Sequence, residues 1–463
     1  MGNKYDLTVI GGGPGGYVAA IRAAQLGLKV AVIEDKQMGG TCLNRGCIPT
    51  KSLLHSSEVY QTAKTGLDFG IVVGDVQFDF GKIIAKKDSV VKRLRSGIEF
   101  LVKKNGATII NGLGYIKDKN TIEVTGKEPQ TITTDKIIIA TGSRPSRPPI
   151  PGLDSEKVLD SDSLLDLKNC PDKLVIIGGG VIGIEFATVF NSLGKDVTII
   201  EMMDEILPGV DSEISSTIRK SLLKKGIILY TSSTVLSIET KKETECVFKT
   251  NNVEQRETCD LVLVAIGRKP NSEGIGLENI GLVPEKGFIN VNDKLETSVP
   301  GVYAIGDVTG KVMLAHVASA QGLIAAANVA GIAQRMNYSV VPGCIYTSPE
   351  IATVGMTEAE AIKQGNKVKV GRFPVSANGK SMIMGETEGL IKIVTDETTG
   401  EILGTHILAP RATDMIAEMC LAMKLESTVE EISNTIHPHP TVSEIIMEAA
   451  HDVEGLCVHK PRN

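Results

Sequence analysis

What this chain lacks narrows its function first. No apolar stretch approaches the ~20 residues of a membrane span; Leu323 to Ala333 is apolar but short. The first apolar run, Leu7 to Ile10, is too brief for a secretory signal and gives way at once to glycines. No basic block occurs, and 49 Lys and Arg against 55 Asp and Glu leave a net charge of −6. Nucleic acid and anionic membranes are therefore poor partners. Eight cysteines in 463 residues do not make a disulfide scaffold. The expected location is cytoplasmic, where a disulfide usually serves catalysis or redox sensing.

What the chain does have is glycine, 48 residues of it, in repeated patterns. The strand Leu7 to Ile10 leads into Gly11-Gly-Gly13-Pro-Gly-Gly16, then a helix from about Gly15 to Leu26, then a second strand, Lys29 to Ile33, ending on Glu34. This is a βαβ dinucleotide fingerprint. Gly11 makes the tight turn, Gly13 lets a pyrophosphate approach backbone, Gly16 permits close helix–strand packing, and Glu34 accepts from ribose hydroxyls. The device returns downstream: Gly178, Gly180, Gly183 and Glu201 each lie 167 positions after their counterparts. Two fingerprints imply two dinucleotides. Glu201 selects between nicotinamide cofactors, because a 2′-phosphate beside it would face like charge. One unit pair at about 4 Å costs about 4 kcal/mol at an effective dielectric of about 20, roughly a thousandfold in affinity. Glu201-Met-Met-Asp204 offers no Arg to compensate, so NAD is favoured.

Between the fingerprints lies Gly39-Gly-Thr-Cys42-Leu-Asn-Arg-Gly-Cys47-Ile-Pro-Thr-Lys51. In a regular helix two positions five apart stand about 8–9 Å from each other, beyond the roughly 7 Å that a disulfide spans. A bend at Gly46 and Pro49 is expected, with Cys42 to Cys47 irregular and the helix starting near Pro49. Cys47 then sits by a helix N-terminus, which favours thiolate. The motif by itself admits a redox pair, two unlinked thiols or half a zinc site. No Cys or His follows at ligand spacing, and a redox pair is the preferred reading.

Buried strands at Ile137 to Gly142 and Leu261 to Gly267 each stop before a Pro-bearing crossover, Ser-Arg144-Pro145 and Arg268-Lys-Pro270. These mark the seams of the second nucleotide unit. Val302 to Ile305 ends on Gly306-Asp307, so Asp307 is either a ligand for a cofactor polyol at a strand's carboxyl end or a turn former. Leu314-Ala315-His316 opens a helix through Asn328, with His316 read as packing or capping. The rest is α+β without a nucleotide motif: strands at Ile351 to Val354, Lys367 to Phe373, Leu390 to Val394 and Ile402 to Leu408, then helices at Thr413 to Met423 and Ser443 to Ala450. Near its end stands His437-Pro-His439-Pro-Thr441-Val-Ser-Glu444. Glu444 can orient His439 as a base; Thr441 and Glu444 also fit a capping box, and His437 with His439 is a weaker metal alternative. The fold class expected is α/β, with two Rossmann-like dinucleotide-binding domains and an α+β C-terminal domain.

Together these motifs resemble the pyridine nucleotide–disulfide oxidoreductases nearly end to end, and most closely the branch that oxidises dihydrolipoyl groups with NAD. The resemblance implies FAD at Gly11, Gly13, Gly16, Glu34, Lys51, Thr141, Gly142, Asp307 and Ala315. It implies NAD at Gly178, Gly180, Gly183, Glu185, Glu201 and Gly267, and no metal. It implies domains at 1–147 (FAD), 148–270 (NAD), 271–340 (return to the FAD unit) and 341–463 (dimerisation). Cys42, Cys47, His439, Glu444 and Lys51 are the implied catalytic residues, with Lys51 paired to Glu185 and His439 reaching the Cys42–Cys47 disulfide of the other subunit of a homodimer. The implied partners are a dihydrolipoyl group on a lipoyl-domain protein and the acyltransferase core of a multienzyme complex. Competing readings are a glutathione-like or mercuric reductase and a non-catalytic flavin-binding subunit. Gly455-Leu-Cys457-Val lacks the vicinal cysteines of the mercuric type. The remaining six cysteines are read as packing thiols.

Overall fold

In the computed structural model, which describes residues 4–126 and 129–461, the β-branched runs of the sequence become the centres of three sheets. The first has seven strands. Val30–Glu34 and Gln130–Ile139 flank Lys4–Ile10 in parallel, Thr108–Asn111 continues one side, and Val302–Ala304 joins Gln130–Ile139 in parallel. An antiparallel meander, Leu113–Asp118 with Thr121–Thr125, branches from the other half of Gln130–Ile139. These central strands are apolar on both faces because both are covered, one by helices and the other by the meander and residues 275–308; Leu7, Val9, Val30, Val32 and Ile137 are all inaccessible to solvent.

The second sheet is parallel throughout, in the order Ile228–Tyr230, Asp196–Ile200, Lys173–Ile177, Leu261–Val264, Val158–Asp160. A three-stranded meander covers residues 233–259. The third sheet, five antiparallel strands between Gly343 and Ala409, carries the helices Ala412–Lys424 and Glu444–Glu454. The expected α/β class and the α+β tail are both present. The strands anticipated at Leu7, Lys29, Leu174 and Val197 are found to within a few residues.

Besides the two antiparallel meanders, two features were not anticipated. The helix Phe80–Lys104 runs 25 residues; its Lys-rich surface hides a sparse stripe, Val91, Ile98 and Val102, that packs on the first sheet's core. The two Pro-bearing seams also pair with one another: Ser143–Pro145 and Arg268–Pro270 form a two-stranded antiparallel ribbon. Among the described residues no helix is long and apolar enough to cross a membrane.

Candidate active site

The two fingerprints are built alike to the hydrogen bond. Gly11 and Gly178 turn at φ +107° and +110°, a region that L side chains avoid. A Cβ at Gly16 would stand 1.9 Å from the Gly11 carbonyl oxygen, and one at Gly183 2.0 Å from that of Gly178. Glu34 accepts from the Gly12 amide at 2.7 Å, and Glu201 accepts from the equivalent Gly179 amide. Both acids are buried, so Glu201 is not an exposed strand-end charge. Burial, against the Gly12 and Lys36 amides, holds the Glu34 carboxyl above its usual range. The helices that follow, Pro14–Gln25 and Val181–Ser192, have no side-chain cap and no acid in their first turns. Their first amides are left for an anion.

A cavity of about 1290 Å3 opens at the first fingerprint, larger than the roughly 300–1,000 Å3 of ordinary small-molecule pockets. Gly11, Gly13, Glu34, Thr141, Gly142, Asp307 and Ala315 line it, and so do Cys42, Cys47, Lys51 and Glu185. Its fit to a dinucleotide shows at Gly13, where a Cβ would meet nothing nearer than the Gly40 Cα at 3.9 Å and would fill the space a phosphate needs. Gly178, Gly180, Gly183, Glu201 and Gly267 do not line this cavity. At Gly180 and Gly267 an added Cβ meets nothing within 4 Å, so the second fingerprint offers open backbone of its own.

The cysteine motif departs from expectation in detail. Thr41 to Arg45 is not irregular: Gly40–Arg45 is a short helix, and a second helix, Cys47–Lys64, begins two residues before Pro49. The whole bend is made at Gly46, with φ −148° and ψ −109°, because a residue without Cβ is the cheapest place to break the hydrogen-bond ladder. Cys47 is therefore the first residue of its helix, and both cysteines are free thiols. The hydrogen bond with Cys42, helped by Lys51 and opposed by burial, brings the Cys47 thiol down to about 7. The same hydrogen bond, then burial, pushes the Cys42 thiol up.

Lys51 lies one turn along the Cys47 helix. Its Nζ donates to both carboxylate oxygens of buried Glu185 at 2.8 Å and stands 4.6 Å from the Tyr346 ring centre. The Tyr346 amide donates to Glu185 Oε1 at 3.1 Å. Helices of both nucleotide units and a segment of the third sheet thus converge on one ion pair. Lys51 is no surface lysine.

His439 is elsewhere. Its side chain is 78% exposed, it does not line the cavity, and its Nδ1 bonds Glu444 Oε1 at 2.9 Å. Glu444 Oε2 accepts from the Thr441 amide at 2.8 Å. The full capping box does not form, since the Thr441 hydroxyl bonds the Pro438 carbonyl and Ser443 occupies the cap. One carboxylate thus holds both the His439 ring and the Thr441 amide. The nitrogens of His437 are taken by Glu418 and the Thr435 carbonyl, which leaves none to share with His439. His316 is exposed, bonds the Pro342 carbonyl at 3.0 Å and lines the cavity.

Residues 5–322 match the family described as pyridine nucleotide-disulphide oxidoreductase, and residues 341–450 match its dimerisation domain. The chain belongs to the pyridine nucleotide-disulphide oxidoreductases. It is 45% identical to a dihydrolipoyl dehydrogenase of Bacillus subtilis, across 99% of this chain and 100% of the relative. It is 44% identical to one from Thermus scotoductus, with 98% of each chain covered. Among solved structures it is similar to LpdA of Mycobacterium tuberculosis, with a TM-score of 0.90 at 26% identity over 97% and 99% of the two chains. It is also similar to the HOCl-induced flavoprotein disulfide reductase RclA of Escherichia coli, with a TM-score of 0.87 at 30% identity over 96% and 99%. The fold class, the oxidoreductase class and the FAD and NAD cofactors expected from the sequence stand with this family, and its dimerisation domain is present.

Sequence reasoning missed three contributors to the cavity. Tyr346 reaches Lys51, while Cys344 and Cys420 line the same space rather than serving as packing thiols alone. Burial pushes the Cys344 thiol up to about 11, so it stays protonated beside the ion pair. No local signal marks these residues, because the third sheet and its helix Ala412–Lys424 deliver them from over 290 positions away.

Proposed function

We propose that this chain oxidises dihydrolipoyl groups carried on a lipoyl-domain protein and reduces NAD+, as the dehydrogenase subunit of a 2-oxoacid dehydrogenase-type or glycine cleavage complex. The observation that carries this reading is one cavity holding a dinucleotide glycine loop, a cysteine pair with one acidified thiol, and the Lys51–Glu185 ion pair. In this reading the first loop, Glu34, Lys51, Thr141, Gly142, Asp307 and Ala315 hold FAD, and the second loop with Glu185, Glu201 and Gly267 holds NAD. The cofactors supply two-electron transfer from the dithiol to the nicotinamide. The working boundaries are 1–147, 148–270, 271–340 and 341–463.

The chain's own residues have distinct tasks. His439 of the partner subunit, oriented by its Glu444, takes a proton from a dihydrolipoyl thiol. The resulting thiolate attacks Cys42 Sγ of the oxidised pair, breaking the Cys42–Cys47 bond and leaving Cys47 as thiolate. The second substrate thiol then displaces Cys42 from the mixed disulfide and closes the lipoyl ring, and the protein keeps two electrons as a reduced pair. Lys51 balances negative charge at Cys47 and beside the flavin position. The wide exposure of His439 supports a site shared across a homodimer. Such thiol chemistry fits the reducing cytoplasm, and docking to an acyltransferase core follows from the substrate being protein-bound.

The test is purified protein. It should be yellow and should reduce lipoamide with NADH. Protein that carries FAD yet reduces glutathione disulfide faster than lipoamide would overturn the substrate assignment.

A further inference from the structure

The seam ribbon places an arginine of the second nucleotide unit beside an acid of the first, and Arg268, Ser143 and Asp307 all line the cavity. Arg268 Nε donates to Ser143 Oγ at 2.7 Å, and its Nη2 donates to the Ser143 carbonyl at 2.8 Å. Ser143 Oγ in turn donates to Asp307 Oδ2 at 2.5 Å. Ser143 is only 4% exposed, so water does not compete for its hydroxyl. That hydroxyl has one proton to give. Because a guanidinium donates and never accepts, Arg268 takes an acceptor site on Oγ and the single O–H must point at Asp307. The chain of bonds has one direction, and each bond polarises the next. Asp307 is bonded through Oδ2 and lines the cavity, which leaves Oδ1 for a ligand hydroxyl.

Arg268 is not needed to tie the seams together. The ribbon's own backbone pairing does that, reinforced by Asn271 Nδ2 donating to the Thr141 carbonyl at 3.0 Å and Thr141 Oγ1 donating to the Asn271 carbonyl at 2.6 Å. We infer that Arg268, acting through Ser143, is a positioning residue for Asp307, so that the grip on the flavin's polyol is set from the NAD-binding unit. This rests on the reading of Asp307 as an FAD ligand given above.

The experiment measures FAD affinity on apoprotein, with ADP as competitor of reconstitution. ADP shares the half of FAD that the Gly11 loop and Glu34 would hold, but has no flavin polyol. Arg268→Gln and Ser143→Ala should each weaken FAD about tenfold, the scale of a lost charge-assisted hydrogen bond, while ADP affinity holds. In Arg268→Gln/Asp307→Asn the loss should not exceed that of Asp307→Asn, because two members of one relay do not add. Parallel weakening of FAD and ADP would mark Arg268 as merely structural and overturn the inference, as would losses that multiply in the double variant. If Ser143→Ala fails to fold, the Arg268→Gln/Asp307→Asn double variant decides the matter, because Arg268 itself lines the cavity and a direct contact would multiply the losses. An Asp307→Asn protein with undiminished FAD affinity would sink the ligand reading itself; a weakened Asp307→Asn beside an unaffected Arg268→Gln would sink only the relay.

Discussion

Which sulfur carries charge is decided by what stands beside each one. Cys47 has a hydrogen bond from Cys42, the Lys51 ammonium and a helix start, and its thiol falls to about 7. Alkylation of the reduced protein should therefore follow an apparent pKa near 7 in a rate-against-pH profile. Lys51→Met removes a cation that favours thiolate, so the profile should move to higher pH and the rate at neutrality should drop. An unmoved profile would show that Lys51 does not act on Cys47. Glu201 makes a second prediction at this scale. It is buried at the strand end with both oxygens on backbone amides, Gly179 and Met203, and it cannot swing away from a 2′-phosphate. Turnover with NADPH should be at least a hundredfold poorer than with NADH, a conservative share of the roughly thousandfold charge penalty; equal rates would refute this account of Glu201.

Elements matter here through their starts. In the proposed reading a glycine loop and the first turn of a helix form each nucleotide cradle; the two stand on different sheets but meet at Glu185, which the second helix sends into the first cavity. Gly183→Ala drives a methyl to 2.0 Å from the Gly178 carbonyl, forcing the second helix off its strand. The expected protein stays yellow, since the Gly11 loop and Glu34 are untouched and only Glu185 of the shifted helix reaches their cavity's ion pair, but its KM for NADH rises at least tenfold. Loss of flavin from this variant, read by absorbance, would show that the cradles are not independent. The break at Gly46 is likewise an element boundary: it turns two cysteines that one helix would hold apart into neighbours at a helix start.

At the scale of the molecule the second nucleotide unit is locked to the third sheet by charge. Lys392, 2% exposed, meets Asp211 at 3.0 Å, Glu213 at 2.7 Å and Glu358 at 2.8 Å, and Arg372 grips Glu213 as well. Hydrogen bonding from Arg372 leads the effects that hold the Glu213 carboxyl down to about 2. A depressed carboxyl stabilises the fold above its unfolded value of about 4.3 and loses that contribution as pH falls toward the folded value. The difference in melting temperature between wild type and Glu213→Gln should accordingly be largest above pH ~4.5 and shrink below it. Being over a third exposed, Glu213 contributes modestly. The larger claim at this scale concerns the dimer. Inactive His439→Gln and Cys42→Ser proteins, after subunit exchange, should regain about a quarter of wild-type activity, because half of randomly mixed dimers carry one intact site of two. No recovery would confine the site to one subunit.

By itself the sequence determined most of what short-range spacing sets, though not the short helix Gly40–Arg45 ahead of Cys47. The paired fingerprints, the cysteine motif and the His439–Glu444 pair are local patterns enforced by a turn, a helix start or a strand end, and each fingerprint acid lies 22 positions from the loop amide it accepts from, within one βαβ unit. It also determined the order of the parallel units, since each glycine loop must follow a buried strand. Only the tertiary structure decided what meets across long separations. It brought Tyr346 and Cys344 to Lys51, Arg268 to Ser143 and Asp307, and Lys392 into a nest of acids, none of which has a periodicity to read. It also revealed the helix Phe80–Lys104, whose narrow apolar stripe is meaningful only once a sheet lies under it. The physical reason is the same in each case: local backbone sterics and hydrogen bonding are written in neighbouring residues, whereas burial and ion pairing depend on which surfaces the folded chain presses together.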